Sequence, residues 1–275
     1  AMSTKYLGDQ FDIHGGGMDL QFPHHESEIA QSTIANKHVP ARYWLHNNMI
    51  TLNGKKMGKS YNNQIRLTEM FTGTHPLLQQ AYSPMTIRFF ILQTHYRSTL
   101  DFSNEALQAA EKGLKRLWEA YDVLKKFAVD ENGGSPATAS DPALDDQVRK
   151  LLNGLDEFMN DDFNTAKVLA NIFELVPVVN SLKGGQIRRD AVSPATLALM
   201  KRYFTDYLEN ILGLKGESLG DDHKLSGVMD LLIDIRRDAR SRKDYATSDK
   251  IRNQLLQLGI VLKDEKDGGI SYTFA

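Results

Sequence analysis

Cysteine is absent from all 275 residues. Within this sequence that excludes disulfides, thiolate nucleophiles, all-thiolate zinc cages and iron–sulfur ligation, and it makes a reducing, cytoplasmic setting the expectation. Long apolar runs are missing too: no stretch reaches the roughly 18 residues a spanning helix needs, so no membrane span is expected. The N-terminal residues lack a charged segment followed by an apolar one, so no signal peptide is read there. A charge excess of one sign is the third absence. Lys and Arg number 33 against 35 Asp and Glu, a net charge of −2, which excludes a wholesale basic nucleic-acid binder and leaves room for a local basic face. Repeats and low-complexity tracts are absent as well, and the balance of 41% hydrophobic and 25% charged residues is that of a folded chain.

The first sixty residues differ from the rest. Phe11–His14 reads as a strand, and so does the run from Trp44 through Leu52. Between them the pattern predicts a helix from Pro23 to about Asn36, with proline at the first helical position. Strand, glycines, helix, strand is an α/β unit, too small to stand as a domain. From Pro84 onward the sequence reads helical. Leu107, Ala110, Leu114, Leu117, Trp118, Tyr121 and Leu124 recur at three- and four-residue steps. After a turn-rich linker over 132–142, Leu144–Phe158 gives a second helix. Val168–Val179 gives a third, capped by Asn164 or Thr165, and Ser193-Pro194 opens a fourth that runs to Gly213. These helices predict an antiparallel bundle. A polar break over 216–226 precedes two more helices, at about 228–242 and 246–258. A hairpin of Ile260–Leu262 and Ile270–Phe274 closes the chain. The fold class expected is mainly α with α/β parts, divided at 1–60, 61–102, 103–215 and 216–275.

Four segments carry chemistry. Gly15-Gly16-Gly17 after a strand, with Asp19 beyond, lets a backbone approach a nucleotide whose ribose the carboxylate could hold; a tight turn that merely needs glycine reads equally well. His24 and Glu28, four apart on a helix, share a face and suit Zn²⁺, yet two ligands fall short of a site and a surface pair is the simpler account. Lys56 and Lys59 flank Met57-Gly58 and can set two ammonium groups on a polyphosphate, although the spacing is not that of a P-loop. The C-terminal helices interleave Arg236, Arg240, Lys243 and Arg252 with Asp234, Asp238, Asp244 and Asp249. That is either a solvated face of i,i+4 pairs or a basic edge that grips phosphates.

In order along the chain, these fragments resemble cysteinyl-tRNA synthetase, a class I aminoacyl-tRNA synthetase family. The run from Phe11 to Ser32, with His-Gly-Gly-Gly-x-Asp-Leu-x-Phe-Pro-His-His-Glu-x-Glu-Ile-Ala-Gln-Ser at its core, is similar to that family's signature. Lys56-Met57-Gly58-Lys59-Ser60 is similar to the class I Lys-Met-Ser-Lys-Ser motif, with Gly58 in place of serine. Tyr61-Asn62-Asn63 departs from the more common Leu-Gly-Asn. His95-Tyr96-Arg97-Ser98-Thr99-Leu100-Asp101-Phe102, Asp161-Asp162-Phe163-Asn164-Thr165 and the stretch from Ile235 to Ile260 also match its landmarks.

The resemblance implies activation of L-cysteine with ATP and its transfer to tRNA(Cys) by a cytoplasmic enzyme, monomeric when intact. It implies one Zn²⁺ held by two cysteines, a histidine and a glutamate, with His24 and Glu28 matching the last two. A thiolate substrate binds such a metal far better than a hydroxyl does. It places His14 beside the amino acid, Gly16 and Asp19 at ATP, Lys56 and Lys59 as catalytic residues, with Lys59 on the departing pyrophosphate. It makes residues 1–60 the remnant of a Rossmann-like catalytic domain, 61–102 a stem-contact connector, 103–215 a DALR-like bundle and 216–275 an anticodon-side domain. There Arg236, Arg240, Lys243 and Arg252 would meet tRNA. The family's His-Ile-Gly-His tetrapeptide and both zinc cysteines do not occur in the sequence. The expectation is therefore a C-terminal fragment, inactive alone, with weak or no zinc and a tendency to self-associate. Two alternatives stand beside it: a non-catalytic tRNA-binding module, and a ligase joining cysteine to an amino sugar.

Overall fold

The computed structural model describes residues 2–127, 138–216, 221–258, 260–264 and 270–274. Most of the expected 132–142 linker, part of the 216–226 break and the hairpin turn lie outside the described residues. The chain divides into two units, Ala1–Gly216 and Glu217–Ala275.

The first unit opens with α1 (Met2–Leu7), β1 (Phe11–Gly17), α2 (Glu26–Asn36) and β2 (Ala41–Asn47). Strands β1 and β2 pair in parallel across α2, in register from Phe11↔Ala41 to Gly17↔Asn47. Phe22 is extended (φ −130°, ψ 132°), so the helical path does begin at Pro23, as the sequence predicts, and becomes regular at Glu26. The glycines, however, lie inside β1 rather than after it. A strand interior tolerates glycine where another group must come close to the backbone, and Gly16 is such a place, as shown below.

The expected strand from Trp44 to Leu52 is two strands in two sheets. β2 ends at Asn47, and β3 (Ile50–Leu52) joins β4 (Lys55–Lys56) and β5 (Leu100–Phe102) in the order β4-β3-β5. Asn48 makes the break. Its amide donates to the Tyr96 carbonyl at 2.9 Å, and its side-chain Nδ2 donates to the Arg97 carbonyl at 3.0 Å. Between β3 and β4, Asn53 (φ 50°) and Gly54 (φ 74°) are both left-handed, the two-residue turn an Asn-Gly pair favours.

Beyond these lie α3 (Leu67–Thr72), α4 (Pro84–Leu92), α5 (Asn104–Lys126), α6 (Pro142–Asn160), α7 (Thr165–Gly184) and α8 (Pro194–Phe204), the last continuing through wider turns to Ile211. Their starts follow capping chemistry. Ser103, Asp141, Asn164 and Ser193 each accept a first-turn backbone N–H. The apolar faces close on one core in which Leu107, Leu114, Leu117 and Leu124 of α5 meet Leu152 and Leu155 of α6, Ile172 and Val179 of α7, and Phe204 at the end of α8. Tyr82, Phe89 and Phe102 belong to the same core, so the connector and the bundle pack as one. By length and composition α7 could cross a membrane, but Val168, Leu169, Ile172, Leu175, Val176, Val179 and Leu182 face the bundle interior. Its Pro177 sits on the exposed side, where the carbonyl deprived of an N–H partner can be hydrated.

One carboxylate ties α6 to the start of α8. Asp145 Oδ1 accepts the Ser193 N–H at 2.8 Å, while Oδ2 accepts from the Thr196 hydroxyl and from Arg149 Nε, both at 2.9 Å. Burial alone would raise this carboxyl, but the donors from Ser193, Arg149 and Thr196 hold it below the ordinary carboxylate range.

The second unit comprises α9 (Asp221–Ser241), α10 (Tyr245–Gln257) and the antiparallel pair β6 (Ile260–Asp264) and β7 (Ile270–Phe274). Helix α9 begins seven residues before the expected Val228. Met229, Leu255 and Ile260 form its small core.

Replacing Asp145 with alanine strands three donors in a buried site and is expected to cost about 2–4 kcal/mol. Since the folded carboxyl titrates below its unfolded value of about 3.9, its contribution is fully present above that pH and is lost as pH falls through the folded value. Denaturant melts of wild type and D145A at pH 7 and pH 3 check both points; equal stability at pH 7 would refute the first.

Candidate functional site

The pleat of the β1–β2 sheet sets the geometry. His14 and Gly16 alternate on one face of β1, and their partners Trp44 and His46 lie on the same face of β2. The His14 ring stacks on Trp44 at 4.5 Å between centroids. His25, at the start of α2, drops onto this face, 4% exposed, with Nδ1 2.8 Å from His46 Nε2. Gly16 makes the room: a Cβ there would lie 2.6 Å from the His25 ring. Glu28, one turn along α2, reaches His14 Nε2 at 3.5 Å.

His14, His25 and Glu28 thus place one ligand atom each within 4.8 Å of one another, a grouping able to hold a metal ion. Imidazole and carboxylate donors suit Zn²⁺. His24, the histidine implied by resemblance, is exposed and is not one of the three, while Glu28 belongs to both sets. Sequence reading passed over His25, Trp44 and His46. For Trp44 and His46 the signal was the two-residue alternation along β2, while His25, at the start of α2, had none of that kind.

Asp19 lies exposed in a short turn, Met18–Leu20, beneath Gly17. A Cβ on Gly17 would lie 2.3 Å from Asp19 Oδ1, the end of an exposed side chain that can turn aside. Lys56 ends the β3–β4 hairpin and Lys59 opens the next turn, both exposed. Asp101, part of the His95–Phe102 landmark, holds the hairpin from β5: its Oδ1 accepts from the Thr51 hydroxyl at 2.6 Å and from the Gly54 amide at 2.8 Å.

Two landmarks far apart in the chain meet in space. Asp162 accepts from the Tyr96 hydroxyl at 2.6 Å and pairs with Arg97 at 2.8 Å, while His95 Nε2 lies 3.1 Å from its carbonyl. Burial, then the bond to Asp162, pushes the Tyr96 hydroxyl up. Asp162 (φ 60°) and Phe163 (φ 56°) are both left-handed, an uncommon backbone for these residues that the three grips hold in place. An open cavity of about 310 Å³ lies alongside, lined in part by Asn48, Tyr96, Leu100 and Phe163.

In the second unit Arg240, Lys243 and Arg252 are exposed, as a phosphate-facing role requires. Arg236, expected beside them, is 4% exposed: its position on α9 turns it into the unit's interior.

Three family models match the chain in succession: the tRNA synthetases class I (C) catalytic domain over residues 1–112, the DALR domain over 155–215 and the cysteinyl-tRNA ligase anticodon binding domain over 222–269. Their order is that of a class I aminoacyl-tRNA synthetase. Curated relatives named cysteine–tRNA ligase are 51% identical over 98% of this chain in Parabacteroides distasonis and Bacteroides fragilis, and 41% identical over 98% in Chlorobium chlorochromatii. The chain belongs to the cysteinyl-tRNA synthetase family. It spans about half the length of these relatives, 52% of the first two and 53% of the third. A solved ternary complex of Agrobacterium radiobacter K84 LeuRS with tRNA and LeuAMS shares the fold at TM-score 0.50 and 16% identity, over 75% of this chain and 27% of that one.

Adding one methyl at Gly16 (G16A) is expected to drive the His25 ring off His46 and to destabilise the first unit by about 1–3 kcal/mol. Histidine ring NMR reads the His25–His46 contact directly; an unchanged contact in G16A would show that the β1 backbone yields instead.

Proposed function

We propose that this chain is the C-terminal half of a cysteine–tRNA ligase that activates L-cysteine with ATP and transfers it to tRNA(Cys). The observation that carries this reading is the succession of catalytic, DALR and anticodon-binding matches, in that order, along the chain. In this reading Lys56 and Lys59 meet the polyphosphate and offset the charge that develops on departing pyrophosphate. Asp19 faces the ATP ribose, with Gly16 and Gly17 allowing the close approach. His14, held flat against Trp44, borders the amino acid.

A zinc ion in the complete enzyme would draw on Glu28 with His24, or on Glu28 with His14 and His25, and would supply a Lewis acid selective for thiolate over hydroxyl. Behind that group, the contact between His25 Nδ1 and His46 Nε2 couples the tautomers of the two rings, one nitrogen donating and the other accepting. The bundle and the second unit would dock the tRNA, with Arg240, Lys243 and Arg252 on phosphates. An anticodon-binding match over 222–269 counts against an amino-sugar ligase, which has no anticodon to read.

This polypeptide is expected to bind a tRNA(Cys) transcript without catalysing cysteine-dependent ATP–pyrophosphate exchange. Reversing Arg240 and Arg252 to glutamate should weaken binding across salt concentrations and flatten the plot of log affinity against log salt by about one unit per lost contact. Filter binding over a salt series is the check. An unchanged affinity and slope would remove tRNA from this face, and pyrophosphate exchange by the polypeptide alone would overturn the half-enzyme reading.

A further inference from the structure

The lysine loop is bound more tightly than its exposure suggests. Asn63, half-buried behind it, holds it at two points. The Gly58 N–H donates to Asn63 Oδ1 at 2.9 Å, and Asn63 Nδ2 donates to the Lys56 carbonyl at 3.0 Å. One planar amide thus spans Lys56-Met57-Gly58 and stands next to the backbone of both lysines. On the hairpin side, the Met57 N–H donates to the Ile50 carbonyl at 3.1 Å, and Asp101 holds Gly54.

The residues between loop and clamp are shaped to permit this. Asn62 is left-handed (φ 53°), which carries the chain back so that Asn63 faces the loop, and asparagine tolerates that conformation better than most residues. Gly58 is extended (φ −177°), a conformation open to any residue. A Cβ there would meet only the edge of the exposed Tyr61 ring, at 3.4 Å. The feature that fixes this loop is therefore the amide of Asn63 and not the glycine at 58.

We propose that Asn63 is a positioning residue: it presets the backbone of Lys56–Lys59 so that both ammonium groups converge on one polyphosphate. The inference rests on reading Lys56 and Lys59 as polyphosphate ligands. Asn63 touches no phosphate itself. It lowers the ordering cost that a loose loop would otherwise meet on binding.

The test needs no catalysis. Trypsin cuts after Lys55, Lys56 and Lys59 only when the loop leaves this conformation, and inorganic tripolyphosphate probes the two ammonium groups. In N63A, cleavage at these three sites should rise roughly tenfold, as expected for two lost hydrogen bonds, with cleavage elsewhere and the melting temperature unchanged. Tripolyphosphate affinity by calorimetry should fall several-fold. N63D, which keeps the acceptor for Gly58 and loses the donor to Lys56, should cleave at an intermediate rate. N63A that binds tripolyphosphate as tightly as wild type, with K59A still impaired, overturns the positioning role and leaves the polyphosphate reading standing. Equal affinity in wild type and K59A overturns that reading and the inference with it.

Discussion

The short parallel pairing of β3 with β5 is the joint on which the rest of the first unit hangs. Ile50, Thr51 and Leu52 align with Leu100, Asp101 and Phe102, and both Leu52 and Phe102 are buried in the core that also holds the bundle. Anchoring the pair there fixes the Asn-Gly hairpin, the carboxylate of Asp101 beneath it, and so the place of the lysine loop. Parallel pairing demands a long crossover. Residues 53–99 supply it, and they carry α3, α4 and the His95-Tyr96-Arg97 segment whose carbonyls catch Asn48. A three-residue strand is weak by itself. Here it is held by core burial at one end and by the Asp162 grips on Tyr96 and Arg97 at the other.

The histidine-rich face depends on a different constraint, the absence of a side chain at Gly16. Because nothing projects there, His25 packs down onto the strand, close enough to engage His46 and to bring Glu28 over His14. The grouping that results shares Glu28, but not His24, with the ligand set implied by family resemblance. Burial accounts for the difference. His25 has given up its exposure for contacts with His14, Trp44 and His46, whereas His24, one residue earlier on the same turn, projects to solvent.

What the sequence disclosed and what it hid divide along the range of the forces involved. Helices α5 to α8 were legible because each combines a strong 3.6-residue apolar period with a capping residue at its start, both local signals. Ser193-Pro194 marks the start of α8 without any knowledge of the fold. It could not reveal that Asp145, 48 residues earlier, completes that start, because a tertiary hydrogen bond leaves no local trace. Asn48 is similar: its neighbours read as one apolar run, and only the carbonyls of Tyr96 and Arg97 explain why the chain changes sheets. Of the site residues, Glu28, Lys56 and Lys59 stood out through their spacing, and His14 through its place in a family-like motif. His25 and Asn63 did not, since each acts through specific contacts that no local pattern announces.

In the second unit, two of the acids interleaved with the basic residues are engaged locally. Asp244 accepts the Thr247 N–H and caps α10, a bond that also holds its carboxyl below the usual range. Asp234 pairs with Arg237 at 3.0 Å, three residues along α9. Lys243, left-handed at φ 61°, sits at the turn between the two helices, so its side chain leaves the backbone where neither helix shields it. A count of charges along α9 and α10 comes out near balance. With Asp234 and Asp244 so engaged, Arg240 on α9, Lys243 at the turn and Arg252 on α10 are exposed, while Arg236 is buried. Cap formation and i,i+3 pairing occupy Asp244 and Asp234 within their own helices, so net charge counted along the sequence does not describe which charges stand exposed.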